Sequence, residues 1–141
     1  MKRIIEFRGK SLKDGRWLFG DFRYDGTFIG NNRVDPRTTT QFTGCLDSKG
    51  AEIFEGDIVR FLYRNNPQCD CEAYVFYDGG EWKSQLSDKS YNPNCVFPGF
   101  KAGLFKLVVV GNVFDNPEFF RQKPFLIDRE EQKNIHLKLI K

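Results

Sequence analysis

The chain has 141 residues, 40% of them apolar, and twenty-two Lys and Arg against nineteen Asp and Glu leave a net charge of +3. A chain of this length suits one domain that buries roughly two-thirds of its unfolded surface, with no need of a disulfide or metal staple. Charge so nearly balanced excludes a strong phosphate-binding field by composition, and no apolar run approaches the roughly eighteen residues of a membrane span.

The N-terminus, MKRIIEFRGK, turns polar before a signal-peptide core can form, so a cytoplasmic protein with reduced thiols at Cys45, Cys69, Cys71 and Cys95 is expected. Fifteen Phe, five Tyr and two Trp favour pleated, half-buried strands, and a β-rich core is the first inference. Ile4 to Arg8 starts a strand, and Lys13-Asp14-Gly15 is a turn because Asp and Gly tolerate positive φ. RWLFGDFRY then reads as one strand, with Gly20 where a bulge or a close approach fits, and Asp25-Gly26 ends it in a second turn. Thr27 to Gly30 adds a short strand before a loop from Asn31 to Arg37, in which Asp35-Pro36 fixes an extended entry into a turn.

The β-branched and aromatic residues from Thr38 to Cys45 predict a strand, Asp47 to Gly50 a hairpin loop, and Ile58 to Tyr63 a strand after the Gly56-Asp57 bend. Ala73 to Tyr77 and Glu81-Trp82 form another hairpin around Asp78-Gly79-Gly80. Ser84 to Gly103, rich in Asn, Pro and Gly, reads as a long irregular loop that Tyr91, Val96, Phe97 and Phe100 pin to the body. Leu104 to Val110 is the most apolar run and is expected as a central strand, and Asp115-Asn116-Pro117-Glu118 signals a short helix. After residue 118 the periodicity fits either a helix or a terminal strand; a strand or a partner-binding tail over 119–141 is the preferred reading.

Four blocks of this sequence carry a resemblance: FRGK at 7–10, DGRWLFGDF at 14–22, VDPRTTTQFTGCLDSKGAEIFEGDIVRF at 34–61 and GNVFDNPE at 111–118. Together they are similar to the YopX family, which is associated with phages and integrated prophages. The resemblance implies a mainly β domain over residues 1–118 with an SH3-like barrel built on the GDIV strand and additional hairpins. It implies an origin in a mobile element and no established activity, so no site residues carry across.

Chemical motifs are sparse. Gly9-Lys10-Ser11 lacks the earlier Gly of a phosphate-binding loop, since Ile4 stands there, and the single His, His136, has no local nucleophile or metal partner. Cys69 and Cys71 with Cys45 and Cys95 form the one conceivable metal set, but the Cys-x-Cys spacing departs from zinc-ligand pairs, so no metal and no cofactor are expected. Asp35, Asp47, Glu52, Glu55, Asp57, Asp78 and Glu81 sit mostly in turns, where carboxylates hydrogen-bond the backbone, and no catalytic residue is assigned.

The binding candidates are Arg33, Asp35, Arg37 and Gln41, joined by Arg8 and Lys10, with Trp17, Phe42 and Tyr63 as stacking surfaces. Surface solvation and turn support are the plainer reading of these residues. The preferred functional reading is a phage or prophage accessory protein acting as a non-catalytic module that binds a protein partner or itself. A nucleic-acid-binding accessory factor is the alternative, and a hydrolase built on turn carboxylates ranks last.

Overall fold

Turn residues set the strand boundaries. In a computed structural model of the chain, which describes residues 4–87 and 93–121, β1 (Phe7–Lys10) and β2 (Trp17–Gly20) make a hairpin closed by Ser11 N–H donating to Arg16 O. The run expected as one strand from Arg16 to Tyr24 breaks instead after Gly20, whose φ of +146° is open only to glycine, and β3 (Phe22–Arg23) begins a different sheet. β4 (Phe28–Ile29) and β5 (Asn32–Arg33) complete a three-stranded ribbon, so part of the expected Asn31 to Arg37 loop is a strand. The rest is a 3-10 turn, Pro36–Thr38, capped by the Asp35 carboxylate accepting from Arg37 N–H.

β6 (Thr40–Leu46) and β7 (Glu52–Phe54) flank the Asp47 to Gly50 hairpin, as the turn chemistry indicates, and join the first hairpin in a sheet ordered β2-β1-β6-β7. β8 (Asp57–Leu62), β9 (Cys71–Asp78), β10 (Glu81–Leu86), β11 (Asn94–Cys95) and β12 (Lys106–Asn112) make a second sheet, ordered β11-β10-β9-β8-β12. Every named pairing is antiparallel.

Three expectations need correcting. The apolar run at 104–110 supplies an edge strand, β12, not a central one; β8, which pairs with both β9 and β12, carries more of the core. The 84–103 segment is not irregular throughout: it holds the end of β10, β11 and a five-residue helix α1 (Phe97–Lys101), while Tyr91 lies outside the described residues. The short helix expected near residue 117 is a 3-10 turn, Pro117–Arg121, and the α-helix stands at 97–101, where Pro98 occupies the first turn. Residues 122–141, including His136 and most of the predicted tail, lie outside the described residues.

Ile53, Val59, Phe61, Ala73, Val75 and Leu107 form the buried centre, and Val96 and Phe97 close it from the 93–101 side, as the pinning of that segment requires. Phe119 is also buried and meets the Tyr74 ring at 6.0 Å, so the packed body runs on through the last described turn.

The described strands form separate antiparallel sheets and close no barrel, unlike the SH3-like barrel that the resemblance implies. Closure needs a strand against the free edge of β12. That edge is met by a hairpin tip instead: Asp47 Oδ2 accepts from Val109 N–H, Ser48 Oγ accepts from Leu107 N–H, and Ser48 N–H donates to Leu107 O. The ribbon stacks on the face of β1 that Gly9 leaves bare, where a Cβ would come within 3.1 Å of the Val34 side chain.

Candidate functional site

The four sequence blocks that carry the resemblance, far apart in the chain, meet in one cluster that is buried at Arg8 and Asp57 and partly exposed at Lys10 and Asp115. Arg8 on β1 is 6% exposed, and its guanidinium carbon lies 4.6 Å from the centre of the Trp17 ring and 4.8 Å from that of Phe54. Nη2 of Arg8 stands 2.7 Å from Asp57 Oδ1, a charge contact, while Asp57 Oδ2 accepts from Phe54 N–H. Burial pushes the Asp57 carboxyl up, with the Arg8 charge and the Phe54 N–H pulling the other way.

Beside it, Lys10 pairs with Asp115, whose Oδ2 accepts from the Trp17 indole N–H and the Asn112 amide, each at 2.9 Å. Burial raises the Asp115 carboxyl, but these donors outweigh it and hold it at about 2. This strut ties β1 and β2 to the start of β8 and the end of β12. Its charges are consumed internally, so it offers a ligand little.

Arg8, predicted as a binding residue, is therefore an interior anchor, and Lys10, predicted with it, is a partly exposed member of the same strut. Their backbones do lie beside the predicted loop, because Lys10 N–H donates to Thr38 Oγ1 and Asp35 N–H donates to Lys10 O, yet their side chains point into the strut. Asp35 and Arg37 pair with each other at 2.9 Å, and the Arg37 contact lowers the Asp35 carboxyl. Gln41 is a half-buried sheet residue whose carbonyl accepts from Glu55 N–H. Trp17, Phe42 and Tyr63 form no common stacking surface: Trp17 belongs to the strut, Phe42 packs on Phe54, and Tyr63 packs on Phe61 and Phe105.

Of the predicted set, Arg33 and Arg37 are exposed, and of these only Arg33 has no ion-pair partner among the described residues. In the ribbon, Arg23 pairs with Phe28 and Phe28 with Arg33, so the three share one face as a row across three strands. The Arg33 guanidinium lies 5.8 Å from the Phe28 ring centre, and Tyr24 meets the same ring edge-on at 5.4 Å. Tyr24 is 73% exposed and holds φ +56°, followed by Asp25 at +58° and Gly26 at +82°. A left-handed Tyr is a strained residue held by its surroundings: Thr27 N–H and Oγ1 both donate to Tyr24 O, and Thr39 Oγ1 donates to Gly26 O. Among the described residues neither Arg23 nor Arg33 has an ion-pair partner.

Two shallow recesses flank this face. One of about 370 Å³ lies between β2 and the ribbon, lined by Leu18, Phe19, Ile29 and Arg23 among others; one of about 450 Å³ lies over Tyr24, Phe28 and Asn31. The row is missed from the sequence because β5 is missed. A signal for it exists in Gly30-Asn31, a two-residue hairpin loop that sets Phe28 opposite Arg33.

Several other chemistry-bearing residues are engaged. Burial raises the Asp47 carboxyl, yet backbone N–H groups of Val109, Ala51 and Lys49 hold it below its usual value. Cys95 donates to Glu81 Oε2 at 2.9 Å, which pushes its thiol up, and burial raises Cys71 to about 11, so neither is primed as a nucleophile. A hydrogen bond to Glu52 raises Glu6 to about 7, a carboxyl pair that no local motif announces. Among the described residues no three or more His, Cys, Asp or Glu side chains are placed to share a metal ion.

Comparison with protein families matches residues 6–121 to the family described as YopX protein. No curated protein matches the chain.

Proposed function

The chain belongs to the YopX family, and from that premise and the geometry of the ribbon we propose a non-catalytic protein-interaction module whose contact surface is the Arg23–Phe28–Arg33 row with Tyr24. The carrying observation is Tyr24, held exposed in a left-handed conformation beside two arginines without ion-pair partners among the described residues. Aromatic residues and Arg are enriched at protein interfaces, the rings because they bring a large flat surface at small entropic cost and Arg because its planar fork makes several directed hydrogen bonds. Two arginines flanking Phe28 across the ribbon suit an acidic partner segment. The non-catalytic character rests on the engagement of the turn carboxylates in backbone caps and ion pairs. The setting we propose is that of a phage or prophage accessory protein in the cytoplasm of a bacterial host.

The test is crosslinking from a photoreactive residue at position 31, in the host cell. A discrete protein adduct that Tyr24→Ser and Arg33→Glu both abolish is the expected result; adducts indifferent to both substitutions overturn the reading. The same Arg and aromatic residues favour single-stranded nucleic acid as a second reading, since bases stack on rings and phosphates pair with Arg. Titration with single-stranded and duplex DNA at two salt concentrations separates the two, because nucleic-acid binding through these arginines weakens steeply with salt.

A further inference from the structure

Among the described residues no strand pairs with the outer edge of β2, which runs along a groove, and the hydrogen-bond alternation shows which groups that edge offers. Ser11 and Arg16 close the hairpin as a bonded pair, so Gly9–Leu18 and Phe7–Gly20 are the next bonded pairs, and the N–H and C=O of Trp17 and Phe19 point away from β1. Among the described residues nothing covers them, whereas the edge of β12 is covered by Asp47 and Ser48. Beside this edge runs the recess of about 370 Å³, with Leu18 and Gly20 on its sheet side and Ile29, Asn32 and Arg23 on its ribbon side.

Resting on the interaction-module reading, we propose that β2 takes up an extended segment of a partner protein as a fifth strand of the β2-β1-β6-β7 sheet. Four backbone hydrogen bonds to Trp17 and Phe19 hold the segment, and its alternate side chains enter the groove. Leu18 and Ile29 ask for an apolar residue there, and Arg23 for a carboxylate two positions on; Asp21, which lines the same groove, disfavours a second carboxylate. The occupant is a segment from another protein and not a second copy of β2. Antiparallel pairing of two β2 edges places both ribbons on the same face of the joined sheet, where each ribbon already lines the groove, and a lone extended segment brings no such layer.

The probe is a set of acetylated six-residue peptides with valine at two alternate positions and glutamate, glutamine or lysine at the third, titrated against the full chain. Glutamate peptides are expected to bind. Phe19→Pro, which removes an outward N–H that no described residue uses, is expected to weaken them about tenfold or more. Leu18→Glu, which leaves the backbone intact, lowers affinity as well if Phe19→Pro perturbs folding, and Arg23→Glu shifts preference to the lysine peptides. No binding up to about 1 mM, or binding indifferent to all three substitutions, overturns the inference. So does a dimer in light scattering that Leu18→Glu dissociates, which makes a second copy the occupant. Failure here with position 31 adducts still lost in Tyr24→Ser leaves the interaction module standing and removes only the added strand.

Discussion

The strut and the ribbon use the same chemistry, arginine over an aromatic ring, to opposite ends. Around Arg8, two rings, a carboxylate and the Thr40 hydroxyl take every face of the guanidinium, and the group is closed to solvent. Around Arg33, a single ring supports an exposed guanidinium with no carboxylate partner among the described residues. The difference teaches that residue type and block position do not separate anchor from contact surface here. Depth does, because a buried charge demands a partner and an exposed one is free to find one elsewhere.

The hardest test of this contrast is Asp57→Ala, which strands the Arg8 charge in the interior and is expected to cost about 3–5 kcal/mol in urea unfolding. A loss below about 1 kcal/mol would show that the strut is no anchor. Asp47→Ala asks whether interior anchoring extends to the hairpin tip. Freeing three backbone N–H groups, one of them on the β12 edge, is expected to lower stability by about 2–4 kcal/mol, with faster amide exchange at Val109.

On the ribbon side, Tyr24→Gly relieves the left-handed backbone and is expected to raise stability by about 1 kcal/mol while abolishing the position 31 adduct. A stability loss there would place Tyr24 with the anchors. The smallest effect is the part of the pH dependence that the strut contributes. Asp115 titrates below its unfolded value, so its contribution is complete above about pH 4 and is lost as pH falls toward about 2. Because the carboxyl is partly exposed, solvent screening limits that contribution to about 1 kcal/mol or less. Melting temperatures between pH 5 and 2.5 should fall less steeply in Lys10→Met than in the parent chain.

Local chemistry made most of the fold legible. The Asp14-Gly15, Asp25-Gly26, Asp47 to Gly50 and Asp78 to Gly80 turns stand where positive φ and carboxylate caps put them, and the strands between them follow. The candidate surface was legible only in Arg33. Arg8 and Lys10 read as binding residues because the sequence shows a cation without its distant acid: Asp57 lies beyond the first hairpin, the ribbon and the β6-β7 hairpin, and Asp115 is further still. The central-strand reading of 104–110 failed for a related reason, since an apolar run records burial and the Asp47–Ser48 cover of an edge is written elsewhere in the chain.

What the sequence determined by itself is therefore most of the turns, the longer strands between them and the family, all functions of a few neighbouring residues. Only the tertiary structure decided that the described sheets close no barrel and that one arginine is held inside while another is displayed. It also decided that, among the described residues, the outer edge of β2 has no partner strand. These outcomes depend on which distant groups arrive within about 3 Å of each other, and such pairings leave no periodicity or spacing in the chain to read.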